Sequence, residues 1–497
     1  MRKICQNGWS SITLIRTASR FVKNVGFNIV ADLSTKLANA ILILMISNFL
    51  GISTMGAYSI AYNFFSLGLL FSYWGLGNLL IREISKEMSN VNKYLSNFVL
   101  IRLIFAIIII IAINVIARNL NYSEQTLQII QIISYSILAS TLTNLFYSLF
   151  IAFETIKYLS IISLTVSLIR LSISFVVLLL GGSIIVVAIL YTVIEYLALL
   201  ISLVFVRKIR QKFKPVIDVQ FSLNQIIRAF PLFLVALLVV MDSRMEILII
   251  SFYLNEFEVG YFTAMNTIIG GLSLFSEALR NAIFPVYARY QKDSPKILRR
   301  LNLILGKYIA LITFPLSISC FFLADKLVSF LFGSQFEISA SLLQIVIWTV
   351  IGYSFTVVAI RLLMVHGQEN RVVLSLFISG SLTILLNFLL VERNGIVSVA
   401  VVRLITSYVL TILCCFFTWK SGYPPISFSA FIKILISSII FFLFTFFLKR
   451  IGVFIAIGSG IILYALLIWV LKILTIKDIQ LGKDIFKGIF ELSSPKK

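Results

Sequence analysis

Histidine is almost absent from these 497 residues. His366 stands alone in a short glycine-containing connection, so neither a metal centre built on several imidazoles nor a Ser/His/Asp triad can be assembled around it. The four cysteines, Cys5, Cys320, Cys414 and Cys415, are scattered or adjacent within apolar stretches, with no metal-ligand spacing and no disulfide framework. No glycine-rich stretch ends in Gly-Lys-Ser or Gly-Lys-Thr, which argues against direct ATP hydrolysis through a phosphate loop. The chain is therefore expected to be no enzyme, with no catalytic residue, no metal and no cofactor.

Charge is scarce as well. Only 12% of residues are charged, and 20 acids face 42 lysines and arginines, a formal balance of +22. Such a surplus raises nucleic-acid binding in a soluble protein. Here the basic residues lie mainly in short connections between apolar runs, so no nucleic-acid partner is expected. Proline is missing from the first six apolar runs, while Pro231, Pro285 and Pro315 fall in runs seven to nine, where helix bending offers a means of gating.

What is abundant is apolar residue: 60% of the chain is hydrophobic, well above the roughly 45–50% of soluble domains. Most apolar runs approach the ~20 residues that a helix needs to cross a hydrocarbon core about 30 Å thick. About fourteen spans are predicted, at 24–50, 56–81, 94–117, 127–153, 157–180, 183–206, 226–253, 259–287, 301–323, 339–365, 372–391, 397–419, 432–448 and 453–474. The fold class is all-α polytopic membrane protein, with two six-helix bundles and two extra C-terminal helices. The expected division is an N-terminal bundle with its tail at 1–206, a basic linker at 207–225, a C-terminal bundle at 226–419, and the last two helices with a tail at 420–497.

Lysine and arginine alternate between the two sets of connections. One side collects Arg2, Lys3, Arg16, Arg20 and Lys23, then Arg82, Lys86 and Lys93, then Arg207 to Lys214, then Arg289 to Arg300, then the tail from Lys472. Cytoplasmic loops accumulate such residues, so both termini are placed inside. The first 23 residues lack the apolar block and cleavage site of a signal peptide and are read as a cytoplasmic tail.

A weak internal repeat appears at an offset of 204 residues: Ile43 to Leu50 falls on Ile247 to Leu254, and Gly56 and Tyr58 fall on Gly260 and Phe262. Six spans separate the copies, so both share one membrane orientation and are expected to be related by an axis along the membrane normal.

Ionisable side chains in hydrocarbon cost several kcal/mol on insertion scales and usually face a bundle interior or an aqueous cavity. Lys36, Arg102, Arg170, Arg244, Arg280 and Arg403 are the candidate cations of a substrate cavity, and Asp32, Glu195, Asp242, Glu246 and Glu277 the candidate acids for ion coupling. Asp32 with Lys36 and Glu277 with Arg280 stand at helical neighbour spacing, and local pairing explains them as well as transport does. Arg170 has no acid within a turn, and Arg244 points away from the face shared by Asp242 and Glu246. These two are the preferred cargo contacts, and alanine at either is expected to block export with abundance nearly unchanged. Lys307 and Arg361 lie near cytoplasmic span ends and are read as snorkelling to headgroups, with Arg82 and Glu83 interfacial.

Leu50-Gly51, Gly56-Ala57-Tyr58-Ser59-Ile60-Ala61, Gly75-Leu76-Gly77 and Leu80-Ile81-Arg82-Glu83-Ile84-Ser85, with Ile249-Ile250-Ser251 and Gly260-Tyr261 in the second half, resemble the polysaccharide transport (Wzx-type oligosaccharide flippase) family of the multidrug/oligosaccharidyl-lipid/polysaccharide exporter superfamily. The resemblance implies a central cavity between two bundles. It also implies a flippase that moves undecaprenyl-pyrophosphate-linked oligosaccharide units from the cytoplasmic to the outer leaflet of the bacterial inner membrane by alternating access, for O-antigen, capsule or exopolysaccharide assembly. Its implied partners are membrane lipid, the lipid-linked oligosaccharide, and a polysaccharide polymerase with a chain-length regulator. A pyrophosphate entering a low-dielectric cavity must exchange hydration for charge-assisted contacts, which explains why cations are needed there. The competing readings are a lipid II flippase, a cation-coupled multidrug exporter, a membrane glycosyltransferase or polymerase, and a non-transporting scaffold. Span one lacks the proline expected of the multidrug branch, and the external connections are too short for a polymerase's catalytic loop.

Overall fold

The computed structural model describes residues 26–27, 31–209, 214–293 and 295–473. Among them every regular element is helical: α1 (Ala31–Leu50), α2 (Ile52–Tyr73), α3 (Leu76–Lys86), α4 (Val91–Arg118), α5 (Glu124–Ser134), α6 (Ser136–Ala152), α7 (Ile156–Leu179) and α8 (Ile184–Ile209) in the first half. The second half holds α9 (Val219–Tyr253), α10 (Glu256–Asp293), α11 (Pro295–Phe332), α12 (Glu337–Val346), α13 (Thr349–Val365) and α14 (Glu369–Lys420), followed by α15 (Phe428–Leu448) and α16 (Val453–Val470). Ten helices are long and apolar enough to cross a membrane, and twelve spans result if each bent pair counts as one. The expected count of about fourteen exceeds this by two. The helix α14 is two helices joined at Gly395, whose φ of 63° and ψ of −158° break the helical path, and α10, the most polar of the long helices, packs between α2 and α13.

The membrane reading rests on the outer faces as much as on length. On α4, Ile104, Ile107, Ile108, Ile111 and Val115 are all exposed and recur every three or four residues, a lipid-facing stripe that water would not tolerate. The chain is a multi-pass membrane protein.

Span two, expected as one helix, is bent by 41° between α2 and α3. Trp74 (φ 45°) and Gly75 (φ 69°) both take left-handed backbone there. A Cβ on Gly75 would lie 2.8 Å from the Ala229 carbonyl oxygen, so α9 crosses against bare backbone. The Trp74 ring stacks on Phe233 of α9 at 4.3 Å. Span ten is likewise two helices, bent by 50° between α12 and α13.

The linker is tied to the first half. Asp218 caps α9 by accepting from Phe221 N–H at 2.9 Å and pairs with Lys93 of α4 at 2.9 Å. The Lys93 ammonium, then that backbone N–H, hold its carboxyl below the usual range. Residues 210–213 of the linker, like Cys5 and the two tails, lie outside the described residues.

Where the halves meet, the two copies of the repeat touch reciprocally. A Cβ on Gly56 would sit 1.8 Å from the Glu256 carbonyl oxygen, and a Cβ on Gly260 would sit 2.6 Å from that of Ile52. Glu256 is Ile52 displaced by the repeat offset of 204, so each copy presents the same glycine to the same carbonyl of the other, as a two-fold axis requires. Around this contact, Ser123 N–H and Thr126 Oγ1 donate to Glu256 at 3.2 and 3.1 Å, and Tyr122 meets Ser251 at 2.8 Å.

Candidate functional site

The charges carried on the long helices fall into three groups, one inside each half and one between them. In the first half, Arg170 of α7 donates from Nη2 to Glu195 Oε1 of α8 at 2.5 Å and lies over the Tyr191 ring at 4.4 Å. Ser140 of α6 donates to the other carboxylate oxygen at 2.7 Å. Arg170 is thus not the unpaired cation that its own helix suggests. Its partner is supplied by the neighbouring helix, at a separation of 25 residues that helical spacing cannot show. Arg102 is also enclosed in this half: it is 2% exposed, donates to the Thr141 carbonyl at 2.7 Å and lies over the Tyr73 ring.

Between the halves, Lys36 of α1 pairs with Asp32 at 3.0 Å and more closely with Glu277 of α10. The acid of the expected Glu277–Arg280 neighbour pair therefore reaches across the interface. Glu277 stands 17 residues beyond Gly260 on α10. At about 1.5 Å per residue, the glycine contact and this ion pair are roughly 26 Å apart, close to the thickness of a hydrocarbon core.

Arg244 of α9 lies in the same interface: its guanidinium sits 5.7 Å from the Tyr62 ring centroid, and Asn63 donates to its carbonyl at 3.1 Å. Asn39, one turn beyond Lys36, donates to the Tyr62 hydroxyl at 3.2 Å. Tyr62 and Asn63 are one to two turns beyond Gly56 on α2, so this cluster stands between the glycine contact and the Lys36–Glu277 pair.

The third group surrounds a chamber of about 470 Å³ within the second half, between α9, α10, α13 and α14. Arg280, Arg361, Arg403 and Glu246 all contribute to its lining. Arg403 donates to Glu246 Oε2 at 3.1 Å and contacts Asn266 Oδ1 more closely. Arg280 has a buried Nε with no hydrogen-bond partner among the described residues. Arg361, read from sequence as snorkelling, instead faces this chamber. Its position about two turns from Tyr353 along α13, which also lines the chamber, could have signalled an inward face. At the interface expected for Arg82 and Glu83, the two residues pair at 2.9 Å, and Arg228 of α9 joins them at 3.6 Å. The Asp242 side chain lies outside the described residues.

Helices with charges at the seam of two pseudo-symmetric halves are a transporter architecture, and known proteins bear on which one. The profile of a family described as polysaccharide biosynthesis protein matches residues 21–291, more than half of the chain. The chain belongs to this family. Within a shorter stretch it is 26% identical, over 174 residues, to the probable low-salt glycan biosynthesis flippase Agl15 of Haloferax volcanii; the match takes in 34% of this chain and spans only 36% of that relative's length. The fold is that of solved transporters. It is similar to the lipid II flippase MurJ in an inward closed conformation (TM-score 0.73, 16% identity, 89% of this chain and 97% of that one). It is also similar to an inward-facing multidrug resistance MATE family transporter of the MOP superfamily (TM-score 0.64, 14% identity, 78% and 94%). The match to the family reaches into the second half through α9 and nearly all of α10, so it covers both glycines and Lys36, Arg244 and Glu277.

Proposed function

We propose that this member of the polysaccharide biosynthesis family is a flippase that carries a polyprenyl-linked oligosaccharide, in the finer reading an undecaprenyl-pyrophosphate-linked repeat unit, from the cytoplasmic to the outer leaflet of the plasma membrane. The observation that supports it most is the stacking of two inter-half contacts, Gly56–Gly260 and Lys36–Glu277, on either side of Arg244. An alternating-access carrier needs one closure on each side of a central site, never both open together. Arg244 offers the planar fork that a phosphate group takes, and the Tyr62 face beside it suits a sugar ring. The Haloferax relative, a probable glycan biosynthesis flippase, agrees in cargo class.

In this scheme Lys36–Glu277 opens toward the cytoplasm to admit cargo, and Asp32 and Glu277 are the carboxylates placed to exchange a proton or sodium ion when it parts. Both termini face the cytoplasm. Reporter fusions after Lys214 and Arg300 are expected to behave as cytoplasmic and fusions after Leu254 as external; the reversed pattern would overturn this orientation.

Arg244→Ala tests the cargo assignment in cells. Arg244 is half-buried and its side chain enters no ion pair among the described residues, so its loss orphans no acid among them. Surface glycan is expected to fall at least about tenfold, the loss of one charge-assisted contact, at unchanged protein abundance. Normal surface glycan in Arg244→Ala would remove the residue from the cargo path.

A further inference from the structure

The transport scheme gives no part to Arg102 or to the Gly75-Leu76-Gly77 motif, and the structure brings them together. Arg102 lies on α4 inside the first half, 2% exposed, and no acid among the described residues meets it. A lone cation in such a place is costly, and an apolar side chain of similar volume would serve packing better. Its polar atoms converge on the break in span two. Nη1 donates to the Thr141 carbonyl of α6 at 2.7 Å, and the guanidinium lies over the ring of Tyr73, the last residue of α2. Across the break, Nη2 comes up against the backbone of Gly77 in the first turn of α3: a Cβ there would lie 3.0 Å from Nη2 and 2.7 Å from Ser148 Oγ. Ser72 of α2 meets the same residue of α6, its hydroxyl 3.1 Å from that of Thr141. The two glycines of the motif thus have different neighbours. Gly77 admits the guanidinium, while Gly75 admits the Ala229 carbonyl oxygen of α9, which a Cβ would approach to 2.8 Å. Trp74 holds α9 as well, stacking on Phe233 at 4.3 Å and donating from Nε1 to the Ile226 carbonyl at 3.2 Å. Trp74 follows Gly56 by 18 residues, roughly 27 Å at about 1.5 Å per residue, so α2 meets the second half once at each end.

We infer that Arg102 is a positioning residue: it pins the bend of span two in the shape on which the inner end of α9 docks, and transport needs that docking although Arg102 itself touches no cargo. The inference rests on the flippase reading, and it moves Arg102 out of the set of cavity cations expected from sequence. The route is mechanical. One planar fork ties α6 to both sides of the break, which an ammonium or an apolar side chain of the same length cannot do. Without the pin, α3 is free to swing toward the axis of α2, and Trp74 and the bare backbone of Gly75 lose their seat on α9. The Gly56–Gly260 contact at the other end of α2 is left as it is.

The test uses the full chain in proteoliposomes with the density of polyprenyl-linked oligosaccharide varied. Arg102→Met is expected to lower the maximal flipping rate by about tenfold, the loss of a hydrogen bond made by a charged group, with the half-saturating cargo density unchanged. Its thermal midpoint is expected to hold or rise, because a lone buried cation has gone. Arg102→Lys keeps the charge without the fork and is expected to restore only part of the rate. A second reading needs no cargo: spin labels at Lys86→Cys and Glu124→Cys, both exposed, at the inner end of α3 and the start of α5, in a chain whose native cysteines are replaced by alanine. The 11 residues of α3 span about 16 Å, so straightening the 41° bend lengthens the label separation by up to about 4 Å in Arg102→Met. Gly77→Ala, which crowds the guanidinium, is expected to disturb the separation in the parent and to add little in Arg102→Met. A raised half-saturating density would return Arg102 to the cargo path, a midpoint falling together with the rate would make it merely structural, and an unchanged rate or an unchanged separation would remove it from the bend; each overturns the inference. If the parent flips nothing, it is the flippase reading that fails, and the label separation still decides whether Arg102 holds the bend.

Discussion

Alanine at Gly56 or at Gly260 is expected to abolish glycan export while leaving the protein in the membrane. The added methyl would lie 1.8 Å from one backbone carbonyl oxygen, or 2.6 Å from the other, and neither is a flexible side chain that can swing aside. Overpacking of this kind typically costs about 1–3 kcal/mol, which disfavours the closed outer end by roughly 5- to 150-fold. The cost falls on the contact between the halves and not on either half's own core, so folding survives where closure does not. A cysteine placed at Asn63, fully buried behind the contact, is expected to react with an impermeant thiol reagent from outside in both alanine variants and to be protected in the parent. Normal export by both variants would remove this contact from the transport cycle.

Arg170→Ala is expected to fail for a different reason. Arg170 and Glu195 are 6% and 14% exposed, and deleting one member of a buried pair typically costs about 3–5 kcal/mol because the other charge is left uncompensated. Steady-state abundance is therefore expected to fall several-fold, contrary to the near-constant abundance that the sequence of α7 suggests. Arg170→Met combined with Glu195→Leu removes both charges and is expected to restore abundance, since apolar replacement of a buried pair is often neutral or stabilising. Export restored along with abundance would mark the pair as structural; export still absent would place it in transport. Unchanged abundance in Arg170→Ala would refute the structural account of the pair.

The contrast between these two predictions follows what each signal in the sequence can carry. Span positions were legible because burial in lipid acts on ~20-residue windows, and charge alternation acts on whole connections. The glycine repeat was legible because Gly56 and Gly260 share one backbone constraint, though only the fold shows that they meet. Ion-pair partners were not: helical spacing reaches three or four residues, whereas Glu195 meets Arg170 across 25 residues and Glu277 meets Lys36 across 241. For the same reason helical spacing sets Arg280 beside Glu277 without showing that Glu277 meets Lys36, or that Arg280 lines a chamber with Arg361 and Arg403. The bend at Trp74–Gly75 was missed because hydropathy is continuous there, and only backbone dihedrals mark the break.

Flipping itself is the decisive measurement. The purified chain is reconstituted into proteoliposomes carrying polyprenyl-pyrophosphate-linked oligosaccharide, and glycan exposed to the outer leaflet is followed by a membrane-impermeant lectin or glycosidase. Transfer well above that of protein-free vesicles, reduced about tenfold in Arg244→Ala and abolished in Gly260→Ala, is the predicted result. Transfer no faster than in protein-free vesicles, with correctly folded and oriented protein and a cognate glycan, would contradict it.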